Sequence, residues 1–301
     1  MLAFAKLAGS RGCRGRRGWE YRIDLPAGLI PGQRDRLTGT TRDTGRVLCM
    51  PRNLGWIRQF HQPESSESPL LLIFPHAGAG ASAYRAFSKA LSTRFSVVIV
   101  QYPGRQDRAA EAPLGSVPEI AAGAFEEFAA SEHNRGIPTV TFGHSMGGWV
   151  AFEFVRIAEA NGVDVRQLTV SAAVAPCNAA NKPPHPTDDE EILNHLGTLE
   201  GTSSDVFGNR DLMRLALPVI KADYHACDAY SRTENFKISA PIHAIGGDQD
   251  PIVTLGDLYG WGKHTGSAEV TMFDGGHFFL NDHTEDVAEL LAACAEREQT
   301  R

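Results

Sequence analysis

The chain has 301 residues, of which 42% are hydrophobic and 22% charged, and its net charge is −7. This composition supports a sizeable buried core, and no apolar run approaches the ~20 residues of a membrane helix. The five cysteines (Cys13, Cys49, Cys177, Cys227 and Cys294) form no CxxC pair, which argues against a disulfide framework or zinc site and for a reducing, cytoplasmic setting. The charge is uneven. Residues 1–58 hold 12 Lys and Arg against 4 Asp and Glu, so the remainder carries −15.

Residues 1–55 are Arg- and Gly-rich ("GSRGCRGRRG") and lack sustained periodicity. They cannot bury enough apolar surface to offset ordering entropy, which predicts a mostly disordered basic extension. Its apolar start is too short for a secretory signal. A transit peptide or a basic arm is a weaker reading than an extension without function, with Met50 as the natural start. Order begins near Trp56. "PLLLIF" (69–74) is a short continuous apolar run and predicts a buried strand. "YRAFSKAL" (84–91) has helical spacing, and the β-branched "SVVIVQY" (96–102) predicts a second buried strand. Ser116–Ser131 predicts a helix, "PTVTFG" (138–143) a strand and Gly147–Glu159 a helix. "LTVSAAVAP" (168–176), "PIHAIGG" (241–247) and "AEVTMF" (268–273) predict further strands, and residues 282–297 a closing amphipathic helix. Strands alternating with helices imply an α/β fold, with a mostly parallel central sheet covered by helices on both faces. One stretch breaks the alternation. Residues 178–233 contain no convincing strand but show helical segments near 188–199 and 211–230, which predicts a helical lid over the top of the sheet.

The segment "GHSMG" (143–147) fits G-x-S-x-G between a predicted strand and a predicted helix. That setting puts Ser145 on a tight, strained turn at the carboxyl end of a strand, beside a helix N-terminus whose dipole favours developing negative charge. A serine hydroxyl needs a base, and the base an orienting acid. His277 follows the last predicted strand in "FDGGHFFL", where two glycines permit a sharp return over the sheet. The acid is Asp250 or Asp248 in "IGGDQDPIV". An apolar pair two and three residues on favours Asp250 and leaves Asp248 to the turn. An oxyanion would need two backbone donors, Met146 N–H after the nucleophile and Ala77 N–H in the glycine-rich loop "FPHAGAGAS". That loop matches neither the P-loop nor the dinucleotide fingerprint.

Together, "LLLIFPHAG", "QYPGRQDR", "TFGHSMGGWVAFE", "LPVIKADYHACDAY", "IGGDQDPIV" and "FDGGHFFLND" resemble the type II, or editing, thioesterases of polyketide and nonribosomal peptide synthesis. These belong to the α/β-hydrolase superfamily. The resemblance covers about Trp56 to Glu296, and it departs from the family where Ala79 separates Gly78 from Gly80. It implies an α/β-hydrolase domain over 56–301 that hydrolyses acyl groups from the phosphopantetheine arms of acyl or peptidyl carrier proteins. It implies neither metal nor cofactor, and apart from the resemblance no nucleic-acid partner and a monomer are expected. Arg105 and Arg108 have two readings, contact with the arm's phosphate or structural ion pairs. The acidic body disfavours long-range attraction to an acidic carrier, so docking is expected on a local basic or apolar patch. The competing reading is a general carboxylesterase or lipase with the same triad.

Overall fold

The computed structural model describes residues 55–199 and 210–297, all within the unit Pro51–Arg301. The expected disorder of the N-terminal extension falls on residues outside them. In chain order the elements are β1 (Ile57–Arg58), β2 (Leu70–Phe74), α1 (Arg85–Leu91), β3 (Ser96–Val100), α2 (Val117–Ala130), β4 (Thr139–His144) and α3 (Met146–Ala160). They continue with β5 (Val165–Ser171), α4 (Asp189–Leu199), α5 (Arg210–Asp228), β6 (Ile242–Gly247), α6 (Leu255–Tyr259), β7 (Ala268–Phe273) and α7 (Thr284–Arg297).

The strands form one sheet in the order β1-β3-β2-β4-β5-β6-β7, parallel throughout except for the antiparallel edge strand β1. Both faces are covered, and the strand period of two divides the core. Leu70, Leu72 and Phe74 of β2, with Val98 and Val100 of β3, point to the face packed by α2 and α3. Leu71, Ile73, Val97 and Ile99 point to the opposite face, against Phe87 and Leu91 of α1 and Val287 and Leu291 of α7. Two buried faces explain why these strands read as continuous apolar runs. The order reverses around β2, whose neighbours are β3 on one side and β4 on the other. Such a switch point opens a crevice beyond the strands' carboxyl ends, and the candidate site is there.

Three local readings change. The apolar stretch after β5 leaves the sheet at Ala172, whose φ is 47°, and does not run on to Pro176. Ala173, Val174 and Ala175 are buried as a core-packed turn, where Trp261 Nε1 donates to the Ala173 carbonyl (2.8 Å) and Trp149 Nε1 to that of Val174 (2.6 Å). The short edge strand β1 and helix α6 have no counterpart in the sequence reading. Between β5 and β6 the described residues contain the helices α4 and α5, which share their own apolar cluster of Ile192, Leu193, Leu196, Leu199, Leu217, Ile220 and Tyr224. Ala77, Ile252 and Phe278 pack against that cluster, so it roofs the carboxyl ends of the strands.

The insertion returns to the body through a buried charge. Glu153 of α3 is 3% exposed and accepts from Tyr230 Oη (2.9 Å), Arg232 Nε (2.7 Å) and Arg156 Nη1 (2.6 Å). Glu153→Ala leaves a buried phenol and two half-buried guanidinium groups without their acceptor. Breaking such a network costs about 3 kcal/mol. Urea unfolding followed by circular dichroism is expected to show that loss.

Candidate active site

Strand β4 ends at His144 and α3 begins at Met146, so Ser145 alone makes the turn, at φ 53° and ψ −124°. A non-glycine residue there is strained by roughly 1–3 kcal/mol and persists only where the surroundings enforce it. Here they do. Ser145 N–H donates to the Ser171 carbonyl (2.8 Å), and the Ser145 carbonyl accepts from Gly148 N–H (2.8 Å). The flanking glycines have a steric reason. A Cβ on Gly143 would strike the Gly147 carbonyl, and one on Gly147 the Phe74 carbonyl of β2. The turn thus packs against the neighbouring strand with no room for a methyl group.

His277 Nε2 stands 3.1 Å from Ser145 Oγ, and His277 Nδ1 stands 2.8 Å from Asp250 Oδ2. The two side chains of this pair are 4% and 0% exposed. The other Asp250 oxygen, Oδ1, accepts from the N–H groups of Ile252 (2.8 Å) and Val253 (3.1 Å), which fixes the carboxylate plane. The apolar pair that favoured Asp250 in the sequence therefore supplies two backbone donors. Asp248 does not reach His277. Its Oδ1 accepts from Gly275 N–H (3.0 Å) and ties the His277 loop to the end of β6. Asp274 accepts from Gln249 Nε2 (2.9 Å) in the same turn. The arrangement can carry a proton from a serine hydroxyl to an imidazole whose far nitrogen is held by a carboxylate.

The loop after β2 faces this relay. Gly78 takes φ +77°, and its N–H donates to Asp223 Oδ2 (2.7 Å). Ala79 N–H donates to the His76 carbonyl (3.1 Å). A trans peptide points its N–H opposite its C=O, so the bond to the His76 carbonyl also sets the direction of Ala77 N–H. Among the described residues, neither Ala77 N–H nor Met146 N–H enters a turn or loop hydrogen bond.

Two further histidines pack beside His277. His76 Nδ1 is 2.8 Å from Tyr84 Oη, and His144 Nδ1 is 2.9 Å from Ser171 Oγ. The His144 ring is 5.3 Å from the His277 ring and 5.6 Å from that of His76. Burial, then the nearby His277 and Arg105, push the His76 pKa down to about 3. Burial, then His277 and His76, hold His144 well below the ordinary histidine range. Both rings are neutral near pH 7. Among the described residues, no group of His, Cys, Asp and Glu is arranged to hold a metal ion.

The thioesterase domain family model matches residues 69–294, most of the chain. The chain belongs to the thioesterase family. It is similar to the type II thioesterase BorB of the borrelidin biosynthetic cluster, with 39% identity and a TM-score of 0.72 over 79% of this chain and 97% of that one. This places it among the type II thioesterases of the α/β-hydrolase superfamily. Thioesterase PikA5 of Streptomyces venezuelae is 39% identical over 81% of this chain and 86% of its own. Phenyloxazoline synthase MbtB of Mycobacterium tuberculosis is 39% identical over 79% of this chain, which spans only 17% of that synthase.

Arg105 and Arg108 turn inward. Arg105 Nη2 meets both Asp223 oxygens (2.7 and 2.8 Å), with the two side chains 5% and 0% exposed. Arg108 reaches Glu111 through Nε and Nη2 (2.8 and 2.5 Å) and the Gln101 carbonyl through Nη1 (2.9 Å), and stacks over Trp56. The phosphate reading gives way to the ion-pair reading because both guanidinium groups are buried and paired. Sequence reasoning missed Asp223, although a carboxylate in the apolar stripe of Ile220, Tyr224 and Cys227 is a usable signal.

The neutral histidines make stability depend on pH. Above about pH 6.5 both folded and unfolded chains hold His76 neutral. Below it the unfolded chain binds a proton that the folded site refuses until about pH 3, so stability is lost as the pH is lowered across that window. His76→Gln should flatten the dependence by up to ~1.4 kcal/mol per pH unit. Chemical unfolding at pH 7, 6 and 5, comparing variant with parent, measures it.

Proposed function

We infer that the protein is a serine thioesterase that hydrolyses acyl or peptidyl groups from the phosphopantetheine arms of carrier proteins in polyketide or nonribosomal peptide synthesis, removing stalled units or releasing product. Ser145 Oγ attacks the thioester carbonyl while His277 Nε2 takes its proton, and Asp250 holds the imidazolium that forms. The N–H groups of Ala77 and Met146 hold the oxyanion. Collapse expels the thiolate, which takes the proton from His277 and leaves an acyl-Ser145 ester. Water, deprotonated by His277, then frees the acid and regenerates Ser145. The helical segment 178–233 acts as the lid of a catalytic domain spanning 56–301.

The observation that carries the reading is the Ser145–His277–Asp250 relay within a thioesterase-family chain. Support for a carrier-bound substrate comes from the relatives. BorB is from a biosynthetic cluster and aligns over nearly its whole length, while the match to MbtB covers a domain-sized part of a synthase. Among the described residues no helix is long and apolar enough to cross a membrane. We place the protein in the cytoplasm, as a monomer, with the carrier protein as its partner.

The test offers acyl-carrier protein and p-nitrophenyl esters of the same acyl groups side by side. Release from the carrier, read by mass spectrometry, should exceed ester hydrolysis in kcat/KM. The opposite preference assigns a general esterase. Ser145→Ala should lower kcat about 10⁴-fold or more with an unchanged melting temperature. Asp250→Asn should cost about 10³- to 10⁴-fold and Asp248→Asn less than about 10-fold. Equal losses at the two aspartates would move the acid's role away from Asp250.

A further inference from the structure

The oxyanion loop, residues 75–81, is gripped from two directions. Segment Gln101–Arg108 holds it from the body. Tyr102 Oη donates to the Pro75 carbonyl (3.1 Å), and Gln101 Oε1 accepts from Ala81 N–H (2.7 Å) while its Nε2 donates to the Arg105 carbonyl (2.9 Å). Helix α5 of the insertion holds the loop from the other side. Its Asp223 takes Gly78 N–H, and its Ile220 packs so closely on Gly78 that a Cβ there would stand 2.8 Å from Ile220 Cγ1. Arg105 joins the two grips through its ion pair with Asp223.

Burying such a carboxylate is expensive, and a hydrophobic pair of similar size is often no less stable. The pair therefore calls for a role besides stability. Gly78 N–H lies one peptide unit after Ala77 N–H. With the His76 carbonyl tied to Ala79 N–H, fixing Gly78 N–H fixes both ends of the Ala77 backbone. We propose that Asp223, clamped by Arg105, is a positioning residue that aims Ala77 N–H at the developing oxyanion, and that this aim holds only while α5 is seated on the body. The proposal deepens the thioesterase reading and rests on it. It makes the insertion part of the oxyanion site as well as a roof over it.

The test compares two double variants of the full chain, Arg105→Met/Asp223→Asn and Arg105→Met/Asp223→Leu. Neither leaves a buried charge unpaired, and only the first keeps an acceptor for Gly78 N–H. Each is assayed with an acyl-pantetheine thioester. Each is also titrated with an alkylboronic acid, which adds to the serine as a tetrahedral anion, and with the unreactive amide isostere of the substrate. The Leu variant should lose about 10- to 100-fold in kcat and weaken boronic acid binding by a similar factor, because both need the oxyanion donors. KM and amide affinity should stay within about 3-fold, and the Asn variant should lose several-fold less. Equal kcat in the two variants, unchanged boronic acid affinity, or equal weakening of amide and boronic acid would each overturn the proposal. If the Leu side chain prevents folding, Arg105→Met/Asp223→Ala removes the same acceptor, and full activity there overturns it too. A parent protein that ignores the thioester but cleaves p-nitrophenyl esters refutes the thioesterase reading alone. The same comparison, run on the ester, then decides the role of Asp223.

Discussion

The site depends on one close backbone contact. The first turn of α3 lies against the end of β2, with Gly147 so near the Phe74 and Pro75 carbonyls that no side chain fits between them. That contact brings the serine turn and the loop after β2 to the same place. It also leaves Ser145 no relaxed conformation, because the β4–α3 connection is a single residue pinned through its own N–H and C=O. The strain is borne by the packing of a doubly covered sheet. A loop-borne serine would have no such support.

The fold was legible where a physical period was strong. Strands buried on two faces read as apolar runs, and "PLLLIF" and "SVVIVQY" met their strands within two residues, while the half-exposed edge strand "AEVTMF" was met over its full length. "LTVSAAVAP" misled because burial, not strand geometry, made it apolar: Ala173 to Ala175 are buried under Trp149 and Trp261 outside the sheet. Helix α6 is too short for periodicity, but its capping box was readable. Thr254 and Asp257 each accept the other's backbone N–H, the spacing expected at a helix start. In the candidate site, Ser145, His277 and Asp250 were legible from turn chemistry and chain order. Asp223 was not, because its importance arises from partners 145 and 118 residues away, Gly78 and Arg105.

The "QYPGRQDR" segment shows how a basic motif can have a purely internal purpose. Its two arginines are 6% and 5% exposed and are spent on Asp223, Glu111 and a backbone carbonyl. Arg108 meets Glu111 with the two-point fork of its guanidinium, whereas Arg105 reaches both Asp223 oxygens through Nη2 alone. The segment holds the loop after β2 through Gln101 and Tyr102, and meets that loop's other anchor, Asp223, through Arg105.

The same loop explains the departure at Ala79. Only Gly78 takes a positive φ there, so the left-handed step is already supplied and the next residue can carry a methyl group, which is nearly buried. Gly80 differs, since a Cβ on it would meet only the exposed Gln106 side chain. Glycine is thus favoured at 78 by conformation, while at 80 a Cβ would have to displace only the exposed Gln106 side chain, and at 79 neither applies. The loop's shape comes from its anchors, Tyr102, Gln101 and Asp223, more than from the freedom of its glycines. One of those anchors, Asp223, lies on α5, so the loop after β2 is held by the helical insertion as well as by the body.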